Sequence, residues 1–245
     1  SKKTEKLHEW IKKYENSKIS GIQSFISGIK RDIKKDGDFM FDMHNHILPD
    51  VDDGLKTIDE AIEILREYKK NNINTVFFTP HINHPTIKTD IAKIKETYEV
   101  LEKKAKEIGI KTYLSSELYL QPKNSEFIPL KDYFVLIELP TTIYPMYLLD
   151  KIFDLQLEGY EIILAHVERY QWLQNNESLI KKLKRMNVYF QMNLEYIEKD
   201  KYYLKNDLID FIATDYHGKK RGPINFSLFE KYNDIMEKGK KILKI

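Results

Sequence analysis

Five of the seven histidines, together with two glutamates and an aspartate, share one kind of position: the end of a short apolar run. His44 and His46 close the run that begins at Met40, and His81 follows the run from Thr75 to Thr79. Glu117 lies in the run from Lys111 to Leu118, and Glu138 in that from Tyr133 to Leu139. His166 follows Glu161 to Ala165, while Asp215 and His217 follow Asp210 to Ala213. Imidazoles and carboxylates without sulfur suit Zn, Mn or Fe, and eight such groups exceed what a single ion uses, so two or three ions are implied. Carboxylates gathered beside hydrophobic strands repel one another unless cations lie between them. A carboxylate bridging two ions can hold a hydroxide formed near neutral pH, and the same charges neutralise phosphoryl oxygens. Phosphate ester hydrolysis is the reaction that suits such a set.

Each piece taken alone has a structural alternative. A His-x-His pair points both rings to one face of a strand, as a shared ion requires, yet such a pair also occurs as framework. Glu117 and Glu138 can be read as hydrogen-bonded core carboxylates, and the Asp215-x-His217 pair has the same two readings. The coincidence of all eight at strand ends favours the metal.

Side chains so distant in sequence meet only if the strands run parallel and end on one face. The pattern supplies this. Thr57 to Asn71 reads as an amphipathic helix with Thr57 and Glu60 at capping-box spacing, and Ile91 to Ile108 as a second helix closed by Gly109. Val188 to Met192 adds a further strand, making about seven that alternate with helices. The expected fold is therefore α/β with a mainly parallel sheet, closed into a barrel whose active site lies at the carboxyl ends of the strands. No glycine-rich strand-to-helix turn argues for an open nucleotide-binding sheet. Residues 1–38, rich in Lys and Glu, read as a separate helical extension, and residues 39–245 as the barrel.

At the level of motifs, the chain resembles the polymerase and histidinol phosphatase (PHP) superfamily. Within it, the chain is similar to the bacterial tyrosine-protein phosphatases of capsule and exopolysaccharide operons. The resemblance spans about residues 40 to 225. It rests on Asp42-Met43-His44-Asn45-His46 with Asp52-Asp53-Gly54, Thr79-Pro80-His81, Ser116-Glu117, Ile137-Glu138, Ala165-His166-Val167-Glu168-Arg169-Tyr170 and Thr214-Asp215-Tyr216-His217. It implies a distorted seven-stranded, TIM-like β/α barrel with a trinuclear site, most simply of Mn, with Fe or Zn as alternatives. By that analogy His44, His46, Glu117 and Asp215 hold one ion. Glu117 bridges to a second ion shared with Glu138 and His166, and Asp53, His81 and His217 hold the third. Arg169 and Arg221 match positions of phosphate clamps, where guanidinium binds phosphoryl oxygens. The implied activity is a protein-tyrosine phosphatase acting through a metal-bridged hydroxide on a bacterial tyrosine kinase. The alternatives are a small-molecule phosphatase such as a histidinol-phosphate phosphatase, and a catalytically silent PHP binding module.

Asp50 and Asp52 read as turn caps and His84 as a loop residue, with a part in the site left open for all three. Forty basic against thirty-eight acidic residues leave a net charge of +2, which gives no global case for nucleic acid. The absence of cysteine excludes disulfides, thiolate ligands and cysteine nucleophiles. No apolar run approaches the roughly 18 residues of a membrane span, and the amino terminus shows no signal-peptide core. The expectation is a cytoplasmic protein without membrane insertion, with self-association left open.

Overall fold

The computed structural model describes residues 10–14, 17, 21–26, 40–123, 126–174 and 176–245. The chain divides into two compact units, Ser1–Phe39 and Met40–Ile245. In the first, residues 10–14 and 21–26 are helical, and Trp10 packs 5.1 Å from Tyr14 and edge-on to Phe25 at 6.2 Å. The rest of the helical expectation for residues 1–38 lies outside the described residues.

In the second unit strands and helices alternate: β1 (Met40–Asp42), α1 (Ile58–Lys70), β2 (Ile73–Phe78), β3 (His81–Ile82), α2 (Ile91–Ile108), β4 (Lys111–Leu114), β5 (Glu117–Tyr119) and β6 (Phe134–Glu138). There follow α3 (Leu148–Leu157), β7 (Glu161–Leu164), α4 (Glu177–Arg185), β8 (Tyr189–Asn193), α5 (Lys201–Lys205), β9 (Phe211–Ala213), α6 (Ser227–Lys231) and α7 (Asn233–Leu243). The α1 capping box is complete: Glu60 N–H donates to Thr57 Oγ1 at 3.2 Å, and the Glu60 carboxylate accepts from Thr57 N–H at 3.0 Å. Ala61, Leu65 and Tyr68 then form the buried stripe. Helix α2 starts on Asp90, which accepts from Ala92 N–H at 2.8 Å, and stops at Gly109, whose φ of +82° suits a residue without Cβ. Among the described residues no helix is long and apolar enough to cross a membrane.

The result is a mixed α/β fold with parallel sheets. One sheet has the order β1-β2-β4, and a larger, curled one β3-β5-β6-β7-β8-β9. Every strand pair is parallel. All five residues of β6 are buried, as a strand covered on both faces requires. Two of the expected runs are interrupted. Pro80 has no N–H for a ladder, so the chain leaves β2 at Phe78 and re-forms as β3 at His81. The run expected from Lys111 to Leu118 breaks at Ser115-Ser116, whose hydroxyls donate to Ile128 O at 3.3 and 3.1 Å. Both breaks are spanned by backbone bonds, Ser115 N–H to Phe78 O at 2.9 Å and Glu117 N–H to Pro80 O at 3.1 Å. At the outer edges, Asn45 forms a parallel bridge with Tyr216.

Helix α7 packs on β9 through Gly239. A Cβ there would come within 2.8 Å of Phe41 Cζ and 3.0 Å of Phe211 Cδ1, so glycine lets the helix approach the ring layer of the core.

Candidate metal centre

The site begins where β1 ends. Asp42 is buried and accepts from Thr214 N–H (3.0 Å), Thr214 Oγ1 (2.6 Å) and Tyr68 OH (2.7 Å), which staples the end of β1 to the segment after β9. Beyond it the side chains alternate. Asn45 turns to Phe77 O at 3.0 Å, while His44 and His46 point together to the other side.

Each of these two rings is oriented from behind. His44 Nδ1 lies 3.0 Å from Gln191 Oε1, an oxygen that also accepts from His166 N–H at 2.8 Å. An amide oxygen only accepts, so His44 carries its proton on Nδ1 and turns Nε2 to the site. His46 Nδ1 donates to Asp52 Oδ2 at 2.6 Å, and Asp52 is fixed by Gly54 N–H at 2.9 Å and His81 N–H at 3.1 Å. Gly54 is required here, since a Cβ would lie 2.0 Å from His46 O. His217 donates from Nδ1 to Asp215 O at 2.8 Å, again leaving Nε2 free. His166 (φ +32°) and Asp215 (φ +49°) both take the left-handed backbone that non-glycine residues seldom adopt, directly after β7 and β9.

All nine residues named by the resemblance as metal ligands come together. Glu117 is central: its oxygens lie 3.3 Å from His44 Nε2, 3.3 Å from His46 Nε2, 3.0 Å from His81 Nδ1 and 3.0 Å from His166 Nε2. Glu138 meets His166 Nε2 at 3.4 Å and His81 Nδ1 at 3.5 Å. Asp215 Oδ1 lies 3.5 Å from His44 Nε2 and 3.4 Å from His46 Nε2. Asp53 Oδ1, on a half-exposed side chain, is 3.6 Å from His81 Nε2 and 3.5 Å from His217 Nε2. Among the described residues, three groups have ligand atoms close enough to share an ion: His46, Asp53, His81 and His217; His44, His46 and Glu117; and His81, Glu117 and Glu138.

Among the described residues, seven buried atoms of this cluster have no hydrogen-bond partner: His44 Nε2, His46 Nε2, His81 Nδ1, Glu117 Oε2, Glu138 Oε2, His166 Nδ1 and His217 Nε2. Each such atom costs about 1–3 kcal/mol unless something satisfies it, and native proteins leave only a few. Electrostatics gives the same demand. Burial opposes charge on Glu117 and Asp215, yet the imidazoles around them hold both well below the usual carboxylate range. Burial likewise opposes charge on His166, but hydrogen bonds to Glu117 and Glu138 raise it to about 10. Despite burial, Asp52 and its neighbours lift His46 well above its ordinary value. His217, buried and beside positive His46, falls to about 2. The carboxylates therefore demand positive charge at the imidazole nitrogens. Protons supply it in part; divalent cations would supply it while also taking up the unpartnered atoms, so the residues fit a metal cluster.

Arg169 sits in the 3-10 turn Val167–Arg169, and its Nη2 donates to Asp215 Oδ2 at 2.5 Å. Asn193 Nδ2 donates to the same oxygen at 2.8 Å. Arg221 is half-exposed with Nη1 3.7 Å from Asp215 Oδ2. Both arginines line a cleft whose apolar wall includes Leu194, Tyr216, Ile224 and Leu228.

Sequence reasoning missed the residues that aim the candidate ligands. Asp52, read as a turn cap, does cap Gly54 N–H but also holds His46. Gln191 and Asn193 were not singled out, although two amides alternating along a buried strand are a readable signal. Asp50 instead pairs with Lys93 at 2.7 Å on the exposed surface, and His84 lies at the edge, 3.9 Å from Glu138.

A family model described as "Capsular polysaccharide synthesis, CpsB/CapC" matches residues 40–238. The chain belongs to the CpsB/CapC family. It is 33% identical to CapC of Staphylococcus aureus over 213 residues, covering 80% of this chain and 83% of that protein. It is 28% identical to the tyrosine-protein phosphatase CpsB of Streptococcus pneumoniae, covering 75% of this chain and 85% of that one. In structure this CpsB/CapC chain is similar to one described with YwqE from Bacillus subtilis and CpsB from Streptococcus pneumoniae as "unique metal-dependent tyrosine phosphatases". The TM-score is 0.71 at 26% identity, covering 84% of this chain and 90% of that one. The PHP resemblance is consistent with this membership.

Proposed function

We propose that this chain is a metal-dependent protein-tyrosine phosphatase. Its substrate is a phosphotyrosine protein, a bacterial tyrosine kinase that regulates capsule or exopolysaccharide synthesis, and it works in the cytoplasm. The observation that carries the reading is the set of seven buried, unpartnered ligand atoms flanked by two arginines. Membership of the CpsB/CapC family supports the reaction.

Following the resemblance, His44, His46, Glu117 and Asp215 would hold one ion, Glu117, Glu138 and His166 a second, and Asp53, His81 and His217 a third, with Mn as the expected metal. The contacts of Glu117 to four different imidazoles support its bridging position. We also read the two sheets as one distorted seven-stranded barrel, in which β2 with β3 and β4 with β5 are single interrupted strands. The backbone bonds across both breaks and the bridge between Asn45 and Tyr216 support this closure. Residues 39–245 are then the catalytic unit and residues 1–38 an extension.

Ions held in this site would supply charge for phosphoryl oxygens and a water nucleophile active at neutral pH. The chain's own residues bind and orient the ester. Arg169 and Arg221 offer planar guanidinium donors to the phosphoryl oxygens, and Asp215 and its Arg169 partner fix one another. The apolar wall beside them receives the phenol ring. Tyrosine's pKa near 10 makes phenolate a better leaving group than an alkoxide, so no strong acid is required.

The test is phosphate release from a phosphotyrosine peptide, a phosphoserine peptide and histidinol phosphate, before and after chelation and with Mn restored. Chelator-sensitive release from phosphotyrosine above the other two is expected. Preference for histidinol phosphate would overturn the substrate, and chelator-insensitive turnover would overturn the metal.

A further inference from the structure

His84 is the histidine of the Met40–Ile245 unit that the ligand set leaves out. It follows β3 in the chain and keeps 20% of its side chain exposed at the edge of the cluster. Its ring lies against that of His81, with centroids 4.9 Å apart, and is held by two further contacts. Tyr119 packs against it edge-on, with centroids 5.2 Å apart, and Thr86 backbone N–H donates to its Nδ1 at 3.3 Å.

That second contact decides the tautomer. A backbone N–H can only donate, so Nδ1 is the acceptor and the proton of the neutral ring is on Nε2. With Nδ1 accepting, the ring carries a single N–H proton and no charge. Nε2 faces Glu138 Oε2 at 3.9 Å, beyond hydrogen-bond reach, and no other partner for it is found among the described residues. A ligand role for Nε2 would require the proton on Nδ1, set against the N–H of Thr86. The ring therefore presents a fixed donor to the mouth of the cluster. The two arginines reach the cluster through Asp215, whereas His84 reaches it beside Glu138.

We propose that His84 contacts the substrate, donating Nε2–H to a phosphoryl oxygen of the bound phosphomonoester at the Glu138 end of the site. This rests on the phosphatase reading above. It adds a neutral donor to the two guanidinium groups and leaves the metal ligands as they are.

The test uses the metal-loaded full chain with His84→Ala and His84→Gln, since the Gln amide nitrogen can stand where Nε2 stands. Three quantities are read: bound metal per chain, kcat and KM on a phosphotyrosine peptide, and the affinity for inorganic phosphate measured by calorimetry without turnover. For His84→Ala, phosphate affinity and kcat/KM should each fall about 10- to 100-fold, the range of one hydrogen bond to a charged group. Metal content should stay at the wild-type value, and His84→Gln should recover most of the loss. Loss of metal in His84→Ala would make the residue a ligand and overturn the proposal. Unchanged phosphate affinity would reduce His84 to packing on Tyr119 and overturn it as well. If wild-type protein binds phosphate without hydrolysing any ester tested, the phosphatase reading fails while the comparison of phosphate affinities still decides the role of His84.

Discussion

Replacing Asp52 by Asn isolates the device that aims His46. The substitution keeps the shape of the side chain but removes its charge, 2.6 Å from His46 Nδ1, on a side chain with no exposed surface. Burial would raise the pKa of Asp52, yet the charge and hydrogen bond of His46, with help from Gly54 N–H, bring it from 3.8 to about 2. At about 1.4 kcal/mol per pKa unit, that net shift, left after burial has opposed it, corresponds to about 2 kcal/mol. A cation on Nε2 takes the place of the proton there, so the same coupling should appear in metal binding. Asp52→Asn is expected to weaken Mn affinity by about 10- to 100-fold, the range known for partners behind a ligating His, with kcat at saturating Mn within a few-fold of wild type. The assay is activity and calorimetric binding against buffered free Mn. Linkage adds a second signature. The folded pKa of Asp52 is depressed, so its stabilisation is present above pH about 4 and fades as pH falls towards 2. The metal-free variant should therefore be less stable at neutral pH, and the gap should close in that acid window. Unchanged Mn affinity, or a lost kcat that excess Mn does not restore, would refute the coupling.

Glu117→Ala, His44→Ala and His166→Ala are each expected to abolish hydrolysis and lower bound metal, while circular dichroism shows a folded chain; full activity in any one would break the ligand assignment. Arg221→Ala, at a half-exposed donor 3.7 Å from Asp215, should raise KM for a phosphotyrosine peptide about 10-fold with metal content unchanged; unaltered kinetics would return it to surface charge. Loading metal-free protein with Mn at pH 7.5 should release protons, because His46 and His166, both raised by carboxylate partners, hold them there. Calorimetry in buffers of different ionisation enthalpy counts them, and affinity should rise with pH as these protons are lost; zero release would contradict the origin given for those shifts.

Eight of the nine candidate ligands were legible because each is a polar residue at the end of an apolar run, a signal that needs no knowledge of neighbours; Asp53, in a polar turn, was named by the resemblance alone. The capping box of α1 and the closing Gly109 of α2 were legible for the same reason, being local chemistry. The strand breaks were not. Ser115 and Ser116 look like ordinary strand residues until their hydroxyls find Ile128, more than ten positions away, so the run from Lys111 was carried through to Leu118. Asp52 hid differently: its turn-capping role is real, and that local signal conceals the bond to His46.

The sixth expected strand, Val188 to Met192, carried no ligand in the sequence reading, and its structure explains why. Gln191 and Asn193 occupy buried positions on β8, and both act through other residues: one oxygen of Gln191 holds His44 and the backbone of His166, while Asn193 holds Asp215. Gln191 Nε2 in turn donates to Asn193 Oδ1 at 3.0 Å, so one short chain of amides fixes three of the candidate ligands. Amides suit this task because they are neutral. A carboxylate at either position would add charge to a cluster already crowded with anions, and it would compete for any cation held by Glu117 and Asp215.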